Sequence, residues 1–157
     1  METKTDPLVL CATDFSDLAD LGLTHALRLA RRMSAELLIA HVAPTPVLPP
    51  RGFSGQTEVE LHDDASRLAL DRLRDEAETN GVHCRAQLLH GPVVPTLLRL
   101  VEATEPDLVV VGSHGRGGVS RLVRGSVSEA LSRRSSSPVL IVTDPARRES
   151  AREDSAL

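Results

Sequence analysis

Residues 112–126 read GSHGRGGVSRLVRGS, with five glycines, three arginines and a histidine in fifteen positions. The stretch follows DLVVV (residues 107–111), an apolar run suited to a buried strand. Glycines at the carboxyl end of a strand let main chain approach a ligand closely and reach positive φ. A helix starting nearby offers N–H groups and a partial positive charge, a natural anion site. Here Ser126-Val127-Ser128-Glu129 has capping-box spacing, so a helix opens at Gly125-Ser126, while Arg116, Arg121 and Arg124 add positive charge. This combination predicts a phosphate cradle. A flexible linker would not need a capping box at its end.

The familiar phosphate fingerprints do not fit. A Walker A loop needs Lys-Ser/Thr at the helix start, and the only lysine is Lys4. A Rossmann fingerprint begins at Gly115 and Gly117, but Ser120 stands where its third glycine belongs. His25, His41, His62, His83 and His90 show no metal-ligand spacing, Cys11 and Cys84 have no Cys-x-x-Cys partner, and no G-x-S-x-G elbow occurs. Neither a metal site nor a catalytic nucleophile is expected.

The elements that must position the loop can be read along the chain. Residues 7–14 form a short apolar run ending in a polar turn, expected as a strand buried on both faces. Ser16 is a candidate N-cap for a helix carrying Ala19, Leu23, Ala26, Leu27, Ala30 and Met33 at helical spacing. Asp17 and Asp20 at its start and Arg28, Arg31 and Arg32 near its end complement the macrodipole. Residues 36–44 predict a second buried strand. Four prolines and two glycines then make a loop over residues 43–57, a length that in compact domains marks a functional or disordered segment.

A second helix is expected with Leu61, Ala65, Leu68, Ala69, Leu73 and Ala77 as its apolar row, stopped by Asn80-Gly81. Val82, Cys84, Ala86 and Leu88 alternate with polar residues, predicting a half-exposed strand. Val94, Leu97, Leu98 and Val101 mark a third helix, with Pro95 in its first turn. After the glycine loop a fourth helix runs to about Arg134, and PVLIVTD from Pro138 is a last strand. Strands alternating with helices predict one doubly wound α/β domain over residues 1–145 with a mostly parallel sheet, followed by a disordered charged tail over residues 146–157.

Composition narrows the partners. A chain of 157 residues supports one core, with no run long enough for a membrane span and no basic-then-apolar leader at its start. The net charge of −4 argues against a duplex nucleic-acid binder, and with Phe15 and Phe53 as the only Phe, Tyr or Trp residues, base-stacking platforms are nearly absent. Two cysteines in apolar runs suit buried thiols in a reducing cytoplasm. The expected partner is small.

The spacing Gly112-x2-Gly115-x9-Gly125-Ser126, with VVVGSHGRGG, RGSVSEAL, LCATDFSDLA and LLIAHV, resembles the ATP-binding branch of the universal stress protein family over about residues 7–143. The resemblance implies a five-stranded parallel sheet in order 3-2-1-4-5, with strand order reversing between the first and fourth strands, where ligands bind in such folds. It implies that Gly112, Ser113, His114 and Gly115 line the ribose and phosphates, and that Gly125, Ser126, Val127 and Ser128 hold the phosphates. Ala12, Thr13 and Asp14 match the loop beside the adenosine, and Val42 the residue whose main chain meets the adenine edge. Read from their own chemistry alone, Asp14 could instead close a turn, Ser126 serve only as an N-cap, and His114 be a solvated loop residue.

The expected function is thus a cytoplasmic ATP-binding stress sensor or regulator, with any magnesium held mainly by the phosphates. The alternatives are a slow ATP hydrolase or phosphotransferase using the same cradle, and a nucleotide-free scaffold. Val139, Leu140, Ile141 and Val142, uncharged on an edge strand in the implied order, predict a homodimer through that strand.

Overall fold

The computed structural model describes residues 6–43, 45, 58–113 and 126–145. Residues 46–57 of the long loop, the glycine-loop positions His114, Gly115 and Gly125, and the tail from 146 onward lie outside the described residues.

The elements run β1 (Leu8–Ala12), α1 (Asp17–Met33), β2 (Glu36–Ala43), α2 (Glu58–Thr79), β3 (Cys84–His90), α3 (Val93–Thr104), β4 (Leu108–Gly112), α4 (Ser126–Arg134) and β5 (Val139–Val142). All five strands are parallel, in the order β3-β2-β1-β4-β5, so strand order reverses between β1 and β4. Right-handed crossovers place α1 and α2 on one face and α3 and α4 on the other. Every residue of β1 is therefore buried, because alternate side chains enter two different cores. Val9 and Cys11 join Leu37, Ile39 and Ala26 on the first face, and Leu10 joins Leu38, Leu97 and Leu131 on the second. Full burial of such side chains stabilises the fold by about 1.5–3 kcal/mol each.

The local signals hold at α1. Ser16 caps it, its Oγ accepting from the Ala19 amide at 3.2 Å. Ala19, Gly22, Leu23, Ala26 and Ala30 are buried, whereas Met33, at the last turn, is exposed. Gly81 follows α2 at φ +78, a left-handed stop that glycine takes without Cβ strain. The alternation in β3 also holds: Cys84 is buried while Arg85 and Gln87 are exposed on this edge strand.

The apolar row expected on α2 holds at its end, where Ala77 is buried and Leu73 packs on the core, and is corrected before that. Leu61 and Leu68 are 53% and 54% exposed and Ala65 is exposed, whereas Ser66, Leu70 and Ala77 are buried. Two apolar stripes overlap on this helix, and β2 and β3 select the one containing Leu70. On α4 the Glu129 carboxylate pairs with Arg133, one turn further on, at 2.9 Å. No helix among the described residues is long and apolar enough to cross a membrane.

Candidate functional site

The carboxyl edge of the sheet is stepped. Ala12, the last residue of β1, lies opposite Ala40, but β2 continues to Ala43 and β3 alongside it to His90. On the other side Cys11 lies opposite Val110, and β4 runs on to Gly112. β1 thus ends below the tips of both neighbours, leaving a notch at the point where strand order reverses, the place where α/β sheets bind ligands. The chain leaves β1 into this notch through Thr13, Asp14 and Phe15.

Those three residues form a tightly bonded turn. The Thr13 amide donates to the Ala40 carbonyl at 2.9 Å, and Thr13 Oγ1 accepts from the Phe15 amide at 3.0 Å. Asp14 Oδ1 accepts from the Ser16 amide at 3.0 Å, so the turn expected of this aspartate does form. Phe15 sits at φ +61, a left-handed conformation that is strained for an aromatic residue. Asp14 is half-buried beside the notch.

The opposite wall comes from β4 and α4. Gly112 ends β4, and Ser113, which is buried, donates its amide to the Val142 carbonyl at 2.9 Å. Ser126 opens α4 on the surface, Val127 is half-buried in the second core, and Ser128 is 1% exposed. The Ser128 hydroxyl donates to the Ser113 carbonyl at 3.3 Å, tying the start of α4 to the end of β4. Val42, half-buried, stands on the projecting end of β2. The structure therefore brings Ala12, Thr13, Asp14, Val42, Gly112, Ser113, Ser126, Val127 and Ser128 to one end of the sheet.

Beside the notch, α1 packs closely against β4. A Cβ on Gly112 would stand 3.1 Å from the Leu18 carbonyl oxygen, and one on Gly22 would lie 3.6 Å from the Gly112 nitrogen. Gly112 is not at positive φ, so this glycine serves close approach rather than an unusual turn. Gly22 carried no signal in the sequence beyond being a glycine inside a helical pattern.

The two helix N-termini beside the notch differ in charge. Asp17 and Asp20 occupy the first turn of α1, with Asp14 just before it. The Asp20 carboxyl is pushed above its ordinary range by burial first, then by Asp17 and Asp14. The first turn of α4 carries only Glu129, whose carboxylate is paired with Arg133. An anion is accordingly better accommodated at α4, and hydroxyl donors at Asp14.

The sequence profile of the universal stress protein family matches residues 8–143. This chain belongs to the universal stress protein family. It is 30% identical over 140 residues to a universal stress protein of Methanocaldococcus jannaschii, covering 87% of this chain and 82% of that one. It is 30% identical over 143 residues to universal stress protein YxiE of Bacillus subtilis, covering 85% and 97% of the two chains. A solved structure of a universal stress protein in complex with cAMP matches with a TM-score of 0.66 at 26% identity, over 87% of this chain and 97% of that one.

A second polar group at this end was not anticipated from the sequence. His41, on β2 beside Val42, bonds through Nδ1 to the Thr13 carbonyl at 2.8 Å and packs on Phe15 with ring centroids 4.4 Å apart. His62 of α2 lies beyond it, 6.4 Å from His41 between centroids, and His90 Nε2 meets Asp63 at 2.8 Å. Among the described residues, no three His, Cys, Asp or Glu side chains are grouped to hold a metal ion.

Proposed function

We propose that this universal stress protein binds an adenine nucleotide, with ATP as the resident ligand, and acts in the cytoplasm as a sensor or regulator whose state follows nucleotide occupancy. The observation that carries this reading is the convergence of the Asp14 turn, the end of β4 at Gly112-Ser113 and the start of α4 at Ser126 around the notch above β1. The bound cAMP of a 26%-identical relative supports an adenine nucleotide as the ligand class. The charge distribution supports an orientation: ribose hydroxyls toward the Asp14 carboxylate, phosphates toward Ser126, Val127 and Ser128 at α4, and the adenine edge against the Val42 main chain. His114, Gly115 and Gly125 complete the cradle in this reading, and magnesium enters with the nucleotide, held mainly by its phosphates.

The role is binding rather than turnover. Phosphoryl transfer needs a group that positions the attacking oxygen. The carboxylates beside the notch have other partners: Asp14 accepts a main-chain bond that shapes its own turn, and Glu129 pairs with Arg133. We further propose a homodimer through β5, where Val139, Leu140 and Ile141 remain only half-buried along a sheet edge. Reduced, buried Cys11 and Cys84 fit a cytoplasmic location.

The test is to denature the purified protein and chromatograph the supernatant. ATP near one per chain supports the sensor reading, ADP alone favours a slow hydrolase, and no nucleotide from a chain that also fails to bind added ATP refutes it. Gly125→Val is expected to abolish ATP binding in calorimetry with the helical CD signal unchanged.

A further inference from the structure

Thr13 is anchored to β2 at two points. Its amide donates to the Ala40 carbonyl, and its own carbonyl lies 2.8 Å from His41 Nδ1. A carbonyl oxygen can only accept, so Nδ1 carries the proton of this buried bond whichever charge state the ring adopts. The same ring packs on Phe15, with an interplanar angle of 40°. One side chain therefore grips the residue before Asp14 by a hydrogen bond and the residue after it by ring contact. Phe15 is also the residue held in the left-handed conformation, which persists only where its surroundings over-determine it. His41 is 8% exposed on the α1 and α2 side of the sheet, while Val42, next in sequence, packs toward the opposite core. The His41-Val42 pair thus links the adenine wall to the turn that presents Asp14.

We infer that His41 is a positioning residue, which through its Nδ1–H bond to Thr13 and its contact with Phe15 fixes Asp14 relative to Val42 and so sets nucleotide affinity. The inference rests on the nucleotide-binding reading above. His41 acts through the turn and supplies no contact to the ligand itself.

Three variants separate hydrogen bonding from bulk. The amide nitrogen of His41→Asn falls near the place of Nδ1, that of His41→Gln near the place of Nε2, and His41→Leu has neither. Titration calorimetry with ATP and AMP is expected to give dissociation constants for His41→Asn within about threefold of wild type. For His41→Gln and His41→Leu they are expected to rise about tenfold, the size of one lost buried hydrogen bond. In an Asp14→Ala background His41→Leu should cost less than about twofold more, because the two residues act as one unit.

A lowered melting temperature with unchanged affinity in both His41→Gln and His41→Leu would overturn the proposal, as would additive losses in the double variant. If wild type binds neither nucleotide, the functional reading fails and amide exchange decides the positioning. Phe15 and Ser16 amides should exchange faster in His41→Gln and His41→Leu but not in His41→Asn. Equal exchange in all four proteins refutes it.

Discussion

The contact between Gly112 and α1 permits a quantitative contrast between two single-methyl additions to one interface. At Gly112 a Cβ would meet the Leu18 carbonyl oxygen at 3.1 Å and the Leu18 carbonyl carbon and Cγ at 3.3 Å. Two of these three atoms are main chain in the first turn of α1, so no rotamer change relieves them, and the helix start must move by a few tenths of an ångström. Overpacking of this kind costs about 1–3 kcal/mol. At Gly22, on the other side of the interface, the nearest atoms are at 3.6 and 3.9 Å, which is ordinary contact. Gly22→Ala there should stabilise by up to about 1 kcal/mol through helix propensity.

The two variants should therefore differ by about 1–4 kcal/mol in opposite directions from wild type. Urea unfolding monitored by far-UV CD reads this directly, provided the m-values stay equal. Because α1 leads back into the Asp14 turn, Gly112→Ala should also weaken ATP binding in calorimetry, and Gly22→Ala should not. A Gly112→Ala midpoint at or above wild type would refute the claim that this contact leaves no room for a Cβ. So would a Gly22→Ala variant less stable than Gly112→Ala.

Other consequences follow from particular side chains. Burial pushes the Cys11 and Cys84 thiols from 9.0 up to about 12, so the folded state holds these protons more tightly than the unfolded chain. Their contribution is full below about pH 9 and is lost as pH rises toward about 12. The chain has no tyrosine and one lysine, so a Cys11→Ala/Cys84→Ala double variant should show a visibly flatter alkaline decline in stability than wild type, and an identical slope would contradict the thiol assignment. A double-mutant cycle on His90 and Asp63, a pair 2.8 Å apart with side chains 30% and 18% exposed, should give a coupling of about 0.5–1 kcal/mol, and zero coupling would rule out a stabilising pair. Ile141→Glu should dissociate the proposed dimer in sedimentation, whereas Ala151→Glu should not; a wild-type monomer at micromolar concentration would remove the β5 interface.

Much of the framework was legible in local pattern. Residues 108–111 and 7–12 are apolar without alternation because their strands are buried on both faces, and that continuity is visible in any window of sequence. Ser16, Asn80-Gly81 and the macrodipole charges of α1 likewise act within one helical turn of where they stand. The motif from Gly112 to Ser128 was legible for the same reason, since its spacing lies within one connection. Strand order was not among these local signals; it came from family resemblance, and the sheet bears it out.

Other features depend on groups that meet only after folding. His41 and Thr13 are 28 positions apart, and no periodicity marks one histidine among six as the partner of a distant carbonyl. Gly22 and Gly112 acquire meaning only because strand reversal sets α1 against β4. On α2 the period correctly predicts a helix, yet two overlapping stripes satisfy it equally, and the surface of β2 and β3 decides that Leu70 is buried while Leu61 and Leu68 face water. The Ser128 hydroxyl could serve a ligand or the fold, and its direction toward Ser113 is a property of the packed α4-β4 junction. Local sequence determines which conformations each segment prefers, because propensity, capping and amphipathicity are short-range energies. The notch, its walls and its charge are sums of contacts across the sheet, and only the tertiary structure assembles them.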